Sequence, residues 1–413
     1  MMSGMPVERF HQALSTELQA LRERGTLKGA ESVITEVLPA EGERGPRYRL
    51  AGEGRQAFLK MNSNNYLGMS LRPELRDAEE AATQDFGVGP GAVRFISGTY
   101  QTHIDLEDRL AGFHGRESAM IFSSAYAAVL GVLVPLTTPE TVVISDELNH
   151  NCIINAMRLS RPKDKQVYKH LDLADLEAKL AAAAGTCRRV LLVTDGVFSM
   201  RGDHAPLPEI LAIARRWDDK FPENVVVVAD DSHGVGAFGL TGRGTEELTG
   251  SGPVDVLFAT LGKALGVNGG YVTGSKVLTD FLRETSPTYI YSNPITAGEC
   301  AAALAALQIL DSRQGLKLLD HLREMTARFE QGLLRLGYET IPGEHPVTPL
   351  MVRDTAKTTA LVAHLRQHGI LATGLKFPVV PRGDESIRFQ ISADHTPYDI
   401  DSVLAALESF PGR

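Results

Sequence analysis

Three apolar runs in this 413-residue chain end in residues able to do chemistry. NVVVVA (224–229) leads into Asp230, Asp231, Ser232 and His233. RRVLLVT (188–194) leads into Asp195, Gly196, Val197, Phe198 and Ser199, and VDVLFA (254–259) leads into Thr260, Leu261, Gly262 and Lys263. Such runs read as strands of a parallel sheet, and open α/β sheets bind ligands just beyond the carboxyl ends of their strands. An acid, an imidazole, hydroxyls and one amine therefore converge on a single edge. Taken singly, each has a plainer reading: an Asp after a strand forms a turn or caps a helix, a loop His is a hydrogen-bonded structural residue, and a Lys beside small residues is a solvated cation. Their joint placement at successive strand ends argues for an active site.

The chemistry that suits this set is an amine meeting a carbonyl. Lysine plays that part when desolvation or a neighbouring cation lowers its pKa, and FATLGKALGVNGGYVTG (258–274) places Lys263 between an apolar run and small residues. The best-known carbonyl partner of a buried lysine is pyridoxal phosphate. Its ring nitrogen takes a carboxylate, its 3′-oxygen takes donors, and its phosphate takes backbone N–H groups and hydroxyls. Asp230, His233, Ser199 and Thr260 match those needs. A competing motif, GVGAFG at 234–239 with Asp255 further on, has the GxGxxG form of a dinucleotide site. Its context fails, because four polar residues separate the strand from the first glycine and LTGRGTEELTG follows instead of a helix that could receive a pyrophosphate. No GxxxxGK[ST] is present, which removes a P-loop.

The elements that must position these residues follow an α/β pattern. Strand-like runs at 141–145, 188–195, 224–231 and 254–261 alternate with helical stretches such as 173–183 and 206–217, as a parallel sheet covered on both faces requires. After SNP (292–294) come two long helices, 296–311 and 313–336. The strand-like PLMVRD, ILATGL and SIRFQIS follow, with a last helix near 397–408. The expected division is an N-terminal arm and helix at 1–60, with Phe10, Leu14, Leu18 and Leu21 at helical spacing, a large domain at 61–295 and a smaller C-terminal α/β domain at 296–413.

Composition narrows the class further. With 43% hydrophobic and 23% charged residues the chain can bury a large core, and a net charge of −9 excludes general binding to nucleic acid or anionic membranes. Three scattered cysteines, Cys152, Cys187 and Cys300, indicate neither a disulfide framework nor a zinc site. The N-terminal MMSGMPVERFHQAL has no signal-like apolar core, and no run approaches the roughly 20 apolar residues of a membrane span. The expected setting is the cytoplasm.

Six ordered segments carry a resemblance: MNSNNYLG (61–68), GVGPGAVRFISGTYQTHIDLEDRLAGFHG (87–115), DELNHNCIINAMRLS (146–160), TDGVFSMRGDHAPL (194–207), VADDSHGVGAFGLTGRG (228–244) and ATLGKALG (259–266). From about residue 60 to 400 the chain resembles the α-oxoamine synthases, which are fold-type I pyridoxal-phosphate enzymes with an aspartate aminotransferase-like fold. The resemblance implies that Lys263 holds the cofactor's aldehyde carbon and then removes the substrate α-proton. By the same resemblance Asp230 pairs with the ring nitrogen, His150 stacks on the ring, and His233 and Ser199 meet the 3′-oxygen. It assigns the phosphate to the backbone at Ala125 and Tyr126, to the Thr260 hydroxyl, and to Ser292 and Asn293 reaching over from a second subunit, so a homodimer is expected. Asn65 and Arg388 are expected on the substrate side. The chain departs from the pattern at Ala125, where relatives often have Gly or Cys, at Val129, where they often have Asn, and in the loop GVNGG, one residue short of the usual GGxxGG.

Within the family, ATLGKALG, TYIYSNP and ATGLKFPVVPRGDESIRFQISADHTP most resemble glycine C-acetyltransferase, which implies condensation of glycine with a short acyl-coenzyme A. The alternatives are an 8-amino-7-oxononanoate synthase or another synthase of longer acyl chains, a pyridoxal-phosphate lyase or aldolase, and a scaffold that has kept the fold without catalysis.

Overall fold

The computed structural model describes residues 7–27, 29–377 and 380–412. At its centre lie β4 (Ser118–Phe122), β5 (Thr141–Asp146), β6 (Asp164–Tyr168), β7 (Arg189–Asp195), β8 (Val225–Asp230), β9 (Val256–Thr260) and β10 (Gly270–Gly274), in the spatial order β4-β10-β9-β8-β7-β5-β6. The five strands from β9 to β6 are parallel. β10 runs antiparallel to both β4 and β9. The sheet is mostly parallel, as expected, with the strand of opposite sense next to the lysine strand.

Alternating side chains of the same strands feed different cores. Val142, Ile144, Val190, Leu192 and Val227 pack with the helices Leu173–Ala183 and Leu207–Trp217 on one face. Val143, Leu191, Val193 and Val228 pack with the helices Ala125–Leu136 and Asn151–Ser160 on the other. Continuous apolar runs are the sequence form of a strand buried on both sides. A third core joins Leu261 and Leu265, just after β9, to the long helices Ala297–Leu310 and Arg313–Arg335 and to the helix Pro397–Glu408.

Two stretches fold differently from the sequence reading. The segment read as an arm with one helix also carries β1 (Ile34–Leu38), β2 (Arg47–Leu50) and β3 (Ala57–Lys60). These form a sheet with β13 (Ile370–Leu371), in which β3 and β13 are parallel. ILATGL is therefore not one strand. Its first two residues join this sheet, while β14 (Thr373–Leu375) belongs to an antiparallel sheet with β11 (Glu339–Thr340), β12 (Val347–Met351) and β15 (Ser386–Gln390). A strand two residues long has no periodicity to read. The helix Glu8–Glu23 lies where its spacing placed it and has no buried residue; Phe10, Leu14 and Leu18 are exposed.

Gly270, the first residue of β10, opposes Phe122 on one side and Thr260 on the other. A Cβ there would collide with the backbone of Ser124 and Ala125, where the helix Ala125–Leu136 begins. Gly270→Ala is expected to cost about 1–3 kcal/mol, as overpacking of a close-packed site does. The check is the denaturant midpoint of the variant against the parent chain.

Candidate active site

β7 ends on Asp195, β8 on Asp230 and β9 on Thr260, three residues before Lys263. Asp195 and Asp230 are directly opposed across the β7–β8 pair and only 3% and 6% exposed, so two carboxyl groups stand together at the sheet edge. Asp195 accepts the His150 N–H with both oxygens, at 3.3 and 3.1 Å. Its pKa is pushed well above the carboxylate range, by burial first and by the charge of Asp230 second, which relieves the repulsion between the two. Asp230 Oδ1 accepts the Ser232 N–H at 3.1 Å, and the Cys152 thiol lies 3.8 Å from Oδ2. Burial, with the same two acids next in order, pushes that thiol up, so it stays protonated.

Lys263 faces this pair from the loop between β9 and β10. That loop is closed by Leu261 N–H to the Gly269 carbonyl and Gly266 N–H to the Lys263 carbonyl, both at 3.0 Å. Gly266 has φ near +71°, and a Cβ on it would strike the backbone at Met69 and Ser70. Burial lowers the Lys263 pKa to about 8; Asp230 and Asp195 oppose the shift and Arg388 adds to it. About a tenth of such an amine is neutral at pH 7.

His233 is 7% exposed, with Nδ1 2.8 Å from the buried Tyr66 hydroxyl. Its carbonyl accepts from Nε2 of buried His345 at 2.9 Å. Burial, then Lys263, then His345 hold the His233 pKa well below its usual value, so the ring is neutral. The Tyr66 hydroxyl also lies 3.3 Å from the Asn64 side-chain oxygen, to which it donates. His150 caps the helix Asn151–Ser160; its Nδ1 accepts the Cys152 N–H at 3.3 Å and lies 2.9 Å from Cys152 Sγ. Burial lowers its pKa too, opposed by Asp230 and assisted by Lys263.

Arg388, in β15, donates to the Ser199 carbonyl at 2.9 Å, while its buried Nε has no partner among the described residues. Asn65 turns its side chain to the Ser70 N–H at 3.2 Å and its carbonyl to Ser392. Thr260 Oγ1 donates to the Gly269 carbonyl at 3.1 Å and accepts the Gly262 N–H at 3.0 Å. Ala125 and Tyr126 open their helix, so their N–H groups have no preceding turn to bond, and the Tyr126 hydroxyl joins Asn151 and Asn155. Ser292 and Asn293 follow the helix Pro287–Ile290, and no hydrogen bond among the described residues joins either to the Lys263 group.

The cluster thus contains Lys263, Asp230, His233, His150 and Arg388, with Ser199 tied on through Arg388. Four members had no role in the sequence reading: Asp195, Cys152, Tyr66 and His345. Asp195 had a signal, since it ends an apolar run as Asp230 does. Tyr66 and His345 had none, because only the packing of distant segments sets them against His233. The glycine-rich GVGAFG begins against the side chain of Asp231. That side chain accepts from Thr245 N–H at 2.7 Å and from its hydroxyl at 2.6 Å, and a Cβ at Gly234, or at Gly244 further on, would overlap it.

The donor set fits one cofactor. It offers an amine of lowered pKa, a carboxylate beyond a strand end, a neutral imidazole, and free helix N–H groups for an anion. A family model described as aminotransferase class I and II matches residues 56–407. An 8-amino-7-oxononanoate synthase of Thermosipho melanesiensis is 41% identical over 85% of this chain and 87% of its own. The mitochondrial 2-amino-3-ketobutyrate coenzyme A ligase of Homo sapiens is 40% identical over 95% of this chain and 90% of its own. The solved structure of Sphingomonas wittichii serine palmitoyltransferase superposes with a TM-score of 0.86 at 26% identity, covering 98% of both chains. The chain belongs to the class I and II aminotransferase family, with the fold of the fold-type I pyridoxal-phosphate transferases, and within that family it is an α-oxoamine synthase. Its cofactor is pyridoxal phosphate.

The Lys263 environment sets a pH dependence. In cofactor-free protein the borohydride-trapped adduct with pyridoxal phosphate should form at a rate that rises with a midpoint near pH 8. Asp230→Asn should move the midpoint down, because Asp230 opposes the lowering. Trapping rates measured from pH 6 to 10 check both expectations.

Proposed function

We propose that this α-oxoamine synthase condenses glycine with a short acyl-coenzyme A, acetyl-coenzyme A in the first instance, to give a 2-amino-3-oxo acid and free coenzyme A. The observation that carries the catalytic reading is Lys263 itself, an amine lowered to about 8 and set against Asp230 at the sheet edge. The resemblance of residues 372–397 to glycine C-acetyltransferases, and the human ligase at 40% identity over 95% of the chain, support the choice of substrates.

In this reading Asp230 pairs with the ring nitrogen of the cofactor, the His150 imidazole covers its face, and His233 and Ser199 meet its 3′-oxygen. Ala125 and Tyr126 N–H groups and the Thr260 hydroxyl hold the phosphate, joined by Ser292 and Asn293 of the partner subunit. Arg388 and Asn65 take the substrate side, where the Arg388 guanidinium clamps the glycine carboxylate. Bound there, pyridoxal phosphate supplies the electron sink for the pair left on the substrate α-carbon. Lys263 Nζ takes the α-proton. The α-carbon then bonds to the thioester carbonyl carbon, the carbon–sulfur bond breaks, and coenzyme A leaves as the thiol.

A second reading, an 8-amino-7-oxononanoate synthase using a longer acyl chain, has its own support. A cavity of about 280 Å³ lies beside the Ser199 loop, lined by Leu148, Phe198, Met200, Met351 and Leu375, and is larger than an acetyl group needs. The Thermosipho relative points the same way. Part of ATGLKFPVVPRG, residues 378 and 379, lies outside the described residues.

A homodimer follows from sharing the phosphate site, and exposed Phe10, Phe95, Ile96 and Tyr291 suit an apolar interface across a two-fold axis. The three free cysteines fit a reducing cytoplasm. The expected division into domains places the cluster between the unit at 61–295 and the smaller unit at 296–413, which contributes Arg388.

Glycine, alanine and serine assayed against acetyl-, pimeloyl- and palmitoyl-coenzyme A, with thiol release and product mass as readouts, separate the readings. Release that depends on glycine and acetyl-coenzyme A together is the expected outcome. Release only with the longer thioesters favours the second reading, and no acyl-dependent release returns the question to a lyase. Lys263→Ala should abolish turnover and borohydride trapping, and Asp230→Asn should lose most turnover while retaining some cofactor. Mixing Lys263→Ala chains with Ser292→Ala/Asn293→Ala chains should restore partial activity, because one site of each mixed dimer then carries neither lesion.

A further inference from the structure

His170 lies in the turn after β6 and has a carboxylate at each ring nitrogen. Nδ1 is 3.0 Å from Asp146 Oδ1, and Nε2 is 3.2 Å from Asp203 Oδ2. A neutral imidazole can donate to only one of two such acceptors and would turn a lone pair on the other, so this geometry calls for the cation. The ring is also locked edge-on against Phe198, with centroids 4.4 Å apart. The turn itself is over-determined: Asp146 Oδ2 accepts the Leu171 N–H at 3.0 Å and Glu147 accepts the His170 N–H at 2.8 Å, while Leu171 sits at φ near +57°.

Asp203 closes the loop that follows β7. Its carbonyl accepts the Phe198 N–H at 2.9 Å, and its carboxylate also takes the Arg201 guanidinium at 2.8 Å. Between Phe198 and Asp203 lies Ser199, whose carbonyl holds Arg388. Gly202 of the same loop runs so close to β12 that a Cβ would collide with the Val347 carbonyl. The loop thus has anchors on two sides, and His170 is the one on the sheet side.

We propose that His170, as an imidazolium bridging Asp146 and Asp203, is a positioning residue that holds the 198–203 loop, and through it Ser199 and Arg388, in the geometry the amino-acid substrate needs. The loop-holding part stands on the contacts alone, and the substrate part rests on the function proposed above. Burial by itself lowers the His170 pKa, but hydrogen bonds to Asp146 and Asp203 outweigh it and hold it at about 9. The charged groups facing the ring or its backbone are Asp146, Asp203 and Glu147, with Arg201 behind Asp203; Tyr168, near Asp146, is pushed up and stays neutral. The folded value lies above the ordinary 6.5, so the clamp's contribution is complete below about pH 6.5 and is lost as pH rises through about 9.

The test is amide hydrogen exchange on the holoenzyme, comparing protection factors for the peptide 197–204 in the parent chain, His170→Gln and Asp203→Asn. The parent should lose protection of this peptide about tenfold through a step near pH 9. Either variant should show the low protection already at pH 7, with no step, while peptides of β7 and β8 keep theirs. The amino-acid KM should rise several-fold in both variants with the acyl-coenzyme A KM unchanged. A pH step that persists in a folded variant, or full protection at pH 7 in Asp203→Asn, overturns the clamp. Loss of protection with an unchanged amino-acid KM supports the clamp and instead overturns the placement of Arg388 and Ser199 on the substrate side.

Discussion

The constraint on which the rest of this structure depends is electrostatic: the pKa of one amine must be brought down toward neutral pH while it stands beside two acids. Burial favours the neutral amine, and the two acids favour the charged one. The site works between these two effects, with burial and Arg388 lowering the amine and Asp230 and Asp195 holding it up. Asp195 is itself pushed toward its protonated form, so the edge does not carry two fully charged carboxylates in one dry space. Asp195 and Asp230 reach the amine from the paired ends of β7 and β8, so the sheet register is part of this balance.

The architecture delivers that register. β7, β8 and β9 are adjacent and parallel, so Asp195, Asp230 and the Lys263 loop emerge on the same edge. The antiparallel β10 then returns the chain past the lysine loop, and Gly269 and Gly270 let it pass close to Leu261, Ile295 and the first turn of the helix Ala125–Leu136. Buried polar groups lock the surroundings. Tyr66 and His345 fix His233, Cys152 and Asp195 fix His150, and Asp231 is enclosed by the glycine-rich loop with Thr245 as its partner. Satisfied networks of this kind specify one arrangement of a core, because any alternative leaves a buried donor or acceptor unpaired.

Relatives of nearly equal similarity carry two names, 8-amino-7-oxononanoate synthase and 2-amino-3-ketobutyrate coenzyme A ligase, and both fall within one reaction type. The shared part follows from the sheet edge around the amine. A cavity lined by residues from the loops after β5, β7 and β14 lies beside the Ser199 loop, and in the proposed reading it is where a longer acyl group would be told from a short one. Loops tolerate change at little cost to the core, so acyl choice can diverge while the amine and its acids stay in place.

Taken by itself, the sequence determined the parallel sheet, the helices on its two faces, and the placement of Asp230, His233, Ser199 and Lys263 at strand ends. Those features are local: an apolar run of five or six residues and the polar residue that ends it are read in one short window. Only the tertiary structure decided that ILATGL divides between two sheets, that residues 34–60 form strands against the C-terminal part, and that Asp195 stands in register with Asp230. It alone brought Tyr66 and His345 to His233, 167 and 112 residues apart in the chain, and set His170 between Asp146 and Asp203. The physical reason is the range of the forces involved. Periodicity and strand ends are properties of neighbours along the chain, whereas a pKa, a tautomer or an ion pair is set by neighbours in space, which packing chooses from any distance in sequence.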